Sequence, residues 1–341
     1  MKTATKVCLF LVFALVVLVG YMTGTKKGKQ LTSKAVAGYL HERVNYVEKN
    51  KENRKEVKNE PEEEMSSGEN PKNAKSDEFE EKEYYHILLL GEEALKSSPG
   101  KGRTDTMILA TVDTVQKRVV LTSVLRDTYV EPEGMNPCKI NAVYARLGVN
   151  GLYEILYEKI GILPDGYMKV GFDDFEKIID MLGGAEVMLT REEAEYLNTH
   201  DYISKEEYRT VVAGEQVLNG NQTLGYCRVR FVPNCNGTKY DYGRTERQRM
   251  VLSNLFERYK AVGFTKKIKI AEDALGYIET DIGEALMEKL IYAAYEGRIT
   301  KLEQRQLPAE GTFRSADKGA VTSALEADWE RNKEIFWNIF E

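Results

Sequence analysis

Three patterns of apolar and polar positions succeed one another along the chain. From Val7 to Thr25, "VCLFLVFALVVLVGYMTGT", no charge interrupts 19 residues. About 20 are needed for a helix to cross a bilayer. From Lys26 to Glu83 the pattern reverses to dense mixed charge with few aromatics, as in "EKNKENRKEVKNEPEEEMSSGENPKNAKSDEFEEKE". Such a segment buries too little apolar surface to fold alone, so residues 26–83 are expected to be a largely disordered linker with a reach of about 40–45 Å. Within it, Leu31 to Val47 could form a short helix.

From Tyr84 onward the spacing becomes that of a folded domain. "YYHILLL" predicts a buried strand, and "TMILATVD" and "KRVVLTSVL" two more, joined near Thr114–Lys117 in a hairpin. "GYMKVGF" and "KLEQRQLP" predict further strands. Helical spacing runs through "GLYEILYEKIG", "DDFEKIIDMLGG", the stretch Asn219–Cys227, "RTERQRMVLSNLFERYK", Lys266–Tyr277, Gly283–Tyr295 and "DWERNKEIFWNIFE". In "DDFEKIIDMLGG" Asp173 is the expected N-cap and Gly183 the expected stop. Strands mixed with helices, including a hairpin, predict one α/β domain over 84–341, with a single core and a mixed central β-sheet flanked by helices.

The apolar start is read as an uncleaved transmembrane anchor over 7–25 behind a short cytoplasmic tail, 1–6. That makes the chain a single-pass cell-membrane protein with its bulk outside the cytoplasm. The competing reading is a cleaved signal peptide, although no A-x-A precedes the polar stretch. Composition adds exclusions. A formal net charge of −6 gives no general attraction to nucleic acid, so an anion site must be made locally. Four cysteines and three histidines offer no zinc spacing. Cys227–Cys235 or Cys138–Cys235 could pair, or all could remain thiols. The stretch "GKGRTDT" lacks the Gly-Lys-Ser/Thr of a P-loop.

Local charge is what points to chemistry. Arg103 lies in that opening loop, Arg126 and Asp127 follow the third strand, and Lys139 sits in "CKINAVY". Arg228 and Arg230 alternate in "YCRVR", and Arg244 and Gln248 share a helix face at i, i+4 beside Asp241. A lone arginine at an element's end is most often a surface ion-pair partner worth about 0–1 kcal/mol. Five clusters, all at element ends, instead suggest a concave anion site, and the planar guanidinium suits the oxygens of a diphosphate. Glu93 and Asp105 flank the opening loop and form the best carboxylate pair for a hard cation such as Mg2+, which one or two carboxylates and substrate phosphates commonly hold.

In order, "LLLGEE", "GRTDTMILATV", "LRDTYV", "KINAVY", "VLNGNQTLGYCRVR" and "DYGRTERQ" resemble the motifs of the LytR-CpsA-Psr family of bacterial cell-envelope proteins. The resemblance implies a membrane-anchored phosphotransferase whose α/β domain has an apolar tunnel for a polyprenyl chain. It would move a glycopolymer phosphate from an undecaprenyl-diphosphate carrier to a hydroxyl of peptidoglycan or another envelope sugar, with Mg2+. Carried over by position, Asp105 and Glu93 would hold the metal. Arg103, Arg126, Lys139, Arg228, Arg230, Arg244 and Gln248 would bind the diphosphate, with Arg126, Asp105 and Arg244 nearest the chemistry. Asp127 and Asp241 are the candidates for a base or for orienting an arginine. Glu93 stands where the family usually has Asp, Leu95 where an arginine is frequent, and Leu125 where proline precedes the arginine. "VPNCNGTK" lengthens one loop. The alternatives are a non-catalytic polyprenyl-phosphate binder that regulates envelope synthesis, and a polyprenyl-diphosphate hydrolase.

Overall fold

The apolar run at Tyr84 becomes the middle of a seven-stranded sheet in the computed structural model, which describes residues 26–48, 82–93, 103–296, 299 and 301–340. Strands β2 (Tyr84–Glu93), β3 (Arg103–Asp113) and β4 (Arg118–Val124) form an antiparallel meander, with the expected hairpin between the last two. Strand β7 (Gly166–Gly171) runs parallel to β2, and β11 (Lys301–Leu307) parallel to β4. Two short strands, β1 (Asn45–Tyr46) and β10 (Glu279–Thr280), complete the order β1-β10-β7-β2-β3-β4-β11, and β5 (Tyr129–Val130) pairs with β6 (Cys138–Lys139) in a separate ribbon. The sheet is therefore mixed.

Alternation along each strand divides the apolar side chains between two faces. Leu88, Leu90, Met107, Leu109, Val120 and Val124 pack against helix α2 (Ile140–Ile160) and the C-terminal helix α9 (Trp329–Trp337). Ile87, Ile108, Ala110 and Leu121 point the other way. Helix α2 begins before the predicted "GLYEILYEKIG" and carries a non-helical Gly148 (φ 69°) inside it.

The short helix allowed for at Leu31–Val47 is present but begins and ends earlier, so not all of residues 26–83 form the disordered linker expected of them. Helix α1 (Lys26–His41) buries Gly28, Ser33, Ala37 and Leu40. Ala37, Leu40 and Val44 join Leu275, Ile282 and Met287 in a buried cluster, and β1 adds a strand to the sheet. The charged average concealed one apolar stripe. The expected anchor, 7–25, lies outside the described residues; among the described residues no helix is long and apolar enough to cross a membrane.

The expectation of a single core also needs correction. Helix α3 (Phe172–Met181), strands β8 (Ala185–Leu189) and β9 (Gly214–Leu218), and helices α4 (Arg191–Thr199), α5 (Gly220–Arg228) and α6 (Tyr240–Ala261) contribute to a separate apolar cluster. It is centred on Ile179, Leu197, Leu218, Tyr226 and Val251. The β8–β9 ribbon was not foreseen, because five residues of alternation in "GEQVL" read as the approach to a helix. The N-cap of α3 is Gly171, which leaves Asp173 inside the first turn; Gly183 does terminate the helix, with φ 81°. Helices α7 (Phe264–Leu275) and α8 (Glu284–Glu296) pack beside α1. A hairpin, β12 (Phe313–Lys318) with β13 (Val321–Ala327), precedes α9.

His86 on β2 sits with Nδ1 3.0 Å from Thr111 Oγ1 and its ring edge-on to Trp337. Burial is the main cause of its pKa falling to about 4. An imidazole that titrates near 6.5 when unfolded then favours the native state fully above that pH. The contribution declines as pH falls toward 4, by at most about 3 kcal/mol at about 1.4 kcal/mol per pH unit. Denaturant unfolding of a His86→Phe variant should show a flatter stability profile than wild type between pH 7 and 4; parallel profiles would exclude His86 as the source.

Candidate active site

The two clusters leave a cavity of about 710 Å³ between the sheet and helices α3, α5 and α6. Leu89, Ile108 and Met168 line it from the sheet, Phe175, Ile179, Val251 and Leu255 from the helices. Its polar lining includes Asp105, Arg228, Arg230, Arg244 and Gln248. Of the residues expected to bind a diphosphate, four therefore reach one apolar cavity.

Asp105 arrives there through a β-bulge. Gly91 pairs with Thr106 and Glu92 with Thr104, so Asp105 is the extra residue of β3. A bulge re-aims a side chain out of the regular alternation. A Cβ on Gly91 would lie 3.0 Å from Thr106 Cβ, which explains a glycine opposite the bulge.

Arg126 follows the end of β4. Its backbone carbonyl accepts Asn141 N at 3.3 Å. Its guanidinium donates from Nη1 to Asp105 Oδ2 at 2.7 Å and reaches Asp241 Oδ1 at 3.2 Å and Asp127 Oδ2 at 3.6 Å through Nε. Arg244, the fifth residue of α6, donates from Nη2 to the Asp105 carbonyl at 3.0 Å and lies 2.9 Å from Asp241 Oδ1. The two Asp241 contacts are at ion-pair distance, but neither is aligned as a hydrogen bond, and both its carboxylate oxygens remain without one. The contact is electrostatic.

These charges divide the carboxylates. Burial opposes ionisation of Asp105, but Arg126 and Arg244 outweigh it and hold the carboxyl below its usual range. Asp241 goes the other way: burial outweighs the same two arginines and raises its pKa. Asp127 accepts Lys139 Nζ at 2.9 Å. Lys139 is thus placed on Asp127; it is absent from the cavity lining, as are Arg126, Asp127 and Asp241, which stand behind Asp105 and Arg244. Glu93 pairs through its backbone with Arg103 at the end of the β2–β3 hairpin; the side chains of both lie outside the described residues.

Arg228 ends α5, whose N-cap Asn219 and Gln222 form a capping box. Arg230 follows in extended chain, its carbonyl accepting Tyr240 N at 2.6 Å. The lengthened loop folds back on α6, where Glu246 accepts Asn234 Nδ2 at 2.7 Å. Among the described residues Cys138, Cys227 and Cys235 are free thiols, so neither anticipated bridge is present.

Arg247 stands in the same "DYGRTERQ" cluster as Arg244 and Gln248 but was given no role at the diphosphate; it holds the site's frame. It is 0% exposed, as is its partner Glu193, with Nε donating to Glu193 Oε1 at 2.8 Å. Its Nη1 and Nη2 donate to the carbonyls of Val229 and Val232 at 3.1 and 2.9 Å, fixing the segment that carries Arg230. The other Glu193 oxygen accepts Thr190 N at 2.8 Å in the α4 capping box. The available signal was its i, i+3 spacing from Arg244 in "GRTER".

The chain belongs to the LytR_cpsA_psr family, whose sequence model matches residues 40–335. It is 29% identical over 259 residues to the regulatory protein MsrR of Staphylococcus aureus, covering 75% of this chain and 74% of that one. It is 32% identical over 223 residues to the polyisoprenyl-teichoic acid–peptidoglycan teichoic acid transferase TagV of Bacillus subtilis, covering 64% and 55%. The crystal structure of B. subtilis TagV superposes with a TM-score of 0.57 at 29% identity, over 76% of this chain and 98% of that one. The family protein YwtF (TagT), solved with bound octaprenyl pyrophosphate lipid, gives 0.55 at 21% identity over 78% and 93%, a likeness of fold.

Removing the Glu193 carboxylate leaves a buried, unpaired guanidinium. Glu193→Ala should lose about 3–5 kcal/mol in denaturant unfolding. Arg247→Lys, which keeps the charge but cannot span three acceptors, should destabilise by less and also weaken anion binding at Arg230. A wild-type midpoint in both variants would contradict the frame assigned to this pair.

Proposed function

We propose that this chain transfers a glycopolymer phosphate from a polyprenyl (undecaprenyl) diphosphate carrier to a hydroxyl of peptidoglycan or another envelope sugar. The observation that carries this reading is an apolar cavity of about 710 Å³ whose polar lining includes three arginines, Gln248 and Asp105. An isoprenoid chain with a diphosphate at one end matches both parts. At about 0.8 kcal/mol per buried CH2, each five-carbon unit adds up to about 4 kcal/mol. MsrR and TagV share the family, and the named activity of TagV is a transfer of this class. TagT holds its octaprenyl pyrophosphate within the same fold.

In this reading Arg228, Arg230 and Arg244 hold the non-bridging oxygens, and Arg126 with Asp105 positions the phosphoryl group. An acceptor hydroxyl attacks the sugar-proximal phosphorus; the new O–P bond forms as the bond to polyprenyl phosphate breaks. The hydroxyl proton goes to Asp241 or Asp127. The proton affinity of Asp241 is raised but both its oxygens are buried, while Asp127 carries the Lys139 ammonium, so the two stand as alternatives. Among the described residues no group of three or more potential ligands could hold a metal. Asp105, ionised and all-oxygen, still suits a hard cation completed by substrate phosphates. Mg2+ held by Asp105 and Glu93 would supply charge neutralisation on the diphosphate. The run 7–25 would anchor the chain as a single-pass membrane protein with the domain outside the cytoplasm.

Release of polyprenyl phosphate from a short-glycan polyprenyl diphosphate, with Mg2+ and a peptidoglycan acceptor, tests the proposal. Turnover should depend on acceptor and fall about 10²–10³-fold in Arg126→Ala, the usual loss for one donor to developing charge. Turnover indifferent to acceptor would make the chain a hydrolase. Lipid binding without turnover, with turnover restored by Glu93→Asp, would make it a binder.

A further inference from the structure

Arg249 lies on α6 seven residues after Tyr242 and is 8% exposed. Its one hydrogen bond runs from Nη1 to Ser123 Oγ at 2.8 Å, and its Nε is buried without a partner. Among the described residues no carboxylate lies within ion-pair distance of it. The nearest acid on its own helix, Glu246, is engaged by the amides of Asn234 and Asn236. A buried guanidinium in this condition is costly, because nothing compensates the water it has lost.

Beside it opens a second cavity of about 260 Å³, where β4, the edge strand β11, the loop at Ala309–Glu310 and α9 meet α6. Thr122 lines the same cavity, and its Oγ1 is likewise buried without a hydrogen bond. Other groups there are occupied. Gln304 Nε2 donates to Ser253 Oγ at 2.6 Å, Gln306 Nε2 to Pro308 O at 3.3 Å, and Asn332 bonds Thr312 and Ala309. Arg305, also in the lining, pairs with Glu303 Oε2 at 3.2 Å, and Glu310 adds a carboxylate to the rim.

We propose that this cavity is a second oxyanion-binding site, in which Arg249 and Thr122 bind a carboxylate- or phosphate-sized group. The volume equals that of roughly nine waters at about 30 Å³ each, room for such a group with several waters. The guanidinium fork gives two donors to a planar or tetrahedral oxyanion, and the threonine hydroxyl a third. The location relates it to the reaction site. Phe313, just beyond the Ala309–Glu310 loop, stacks on Tyr242 with ring centroids 5.9 Å apart, and Tyr242 adjoins Asp241. Seven helical residues separate Tyr242 from Arg249, roughly 10 Å at about 1.5 Å per residue. A free anion or an oxyanion borne on the acceptor glycan would have the same chemistry.

Calorimetric titration of the full-length chain in detergent with inorganic phosphate tests binding without any need for turnover. Wild type should show two classes of site. Arg249→Met should lose one, by 10-fold or more in affinity, and Thr122→Val should weaken that same class several-fold. The Arg228→Ala/Arg230→Ala variant should keep it. Replacing a buried unpaired charge by an apolar side chain of similar length should leave the melting temperature of Arg249→Met at or above wild type. The source of the anion is read from kinetics with a peptidoglycan fragment whose carboxylates are free or amidated. A several-fold rise in KM at constant kcat in Arg249→Met, confined to the free acid, assigns the site to the acceptor; unchanged kinetics with the phosphate site lost assigns it to a free anion. Identical phosphate isotherms for wild type, Arg249→Met and Thr122→Val would overturn the proposal.

Discussion

The site depends on keeping guanidinium groups charged beside an apolar cavity without filling that cavity with their counter-ions. Asp105 meets the constraint from outside the regular strand geometry, because the bulge at Gly91 turns its side chain toward Arg126 and Arg244. Its carboxylate stays ionised because two arginines outweigh its burial. Asp241 bridges the same pair at 2.9 and 3.2 Å. Arg230 has no carboxylate within ion-pair distance among the described residues. The cavity end therefore retains positive charge for a ligand, and the repulsion among arginines is contained by two shared acids.

The cavity exists because the chain makes separate apolar clusters and does not close them on one another. The sheet presents Leu89 and Ile108, and the α3–α6 assembly presents Ile179, Val251 and Leu255; the space between is left for a substrate's own hydrocarbon. Such a gap would lower stability if it stayed empty, since unfilled apolar volume loses dispersion contacts. The Glu193–Arg247 pair ties α4, α6 and the Val229–Val232 segment together. That pair touches no cavity surface, yet it fixes where Arg230 stands. Helix α1 and β1 complete the far side of the sheet, so the folded unit begins well before Tyr84.

Much of the sheet was legible in the sequence. Strand alternation in "YYHILLL", "TMILATVD" and "KRVVLTSVL" is local information, and the hairpin at Thr114–Lys117 follows from it. The approach of Arg228, Arg230, Arg244 and Gln248 was readable from their positions at element ends. Other features were not. The role of Lys139 depends on Asp127 standing opposite it, and the bulge at Asp105 depends on pairing register with β2. Arg247 resembles its neighbours in sequence and differs only in pointing inward. The ribbon β8–β9 and the docking of α1 are non-local: five alternating residues, or a small-residue stripe inside a charged segment, acquire meaning only from the surface they meet.

The account's central claim is that one ligand satisfies both the apolar cavity and the arginines beside it. Dissociation constants for octaprenyl diphosphate, free pyrophosphate and octaprenol on the same full-length chain test it most directly. The account predicts that the joined molecule binds at least 10²-fold more tightly than either part, and that Arg228→Ala/Arg230→Ala removes most of that advantage. Octaprenol binding as tightly as its diphosphate, unaffected by loss of both arginines, would contradict it.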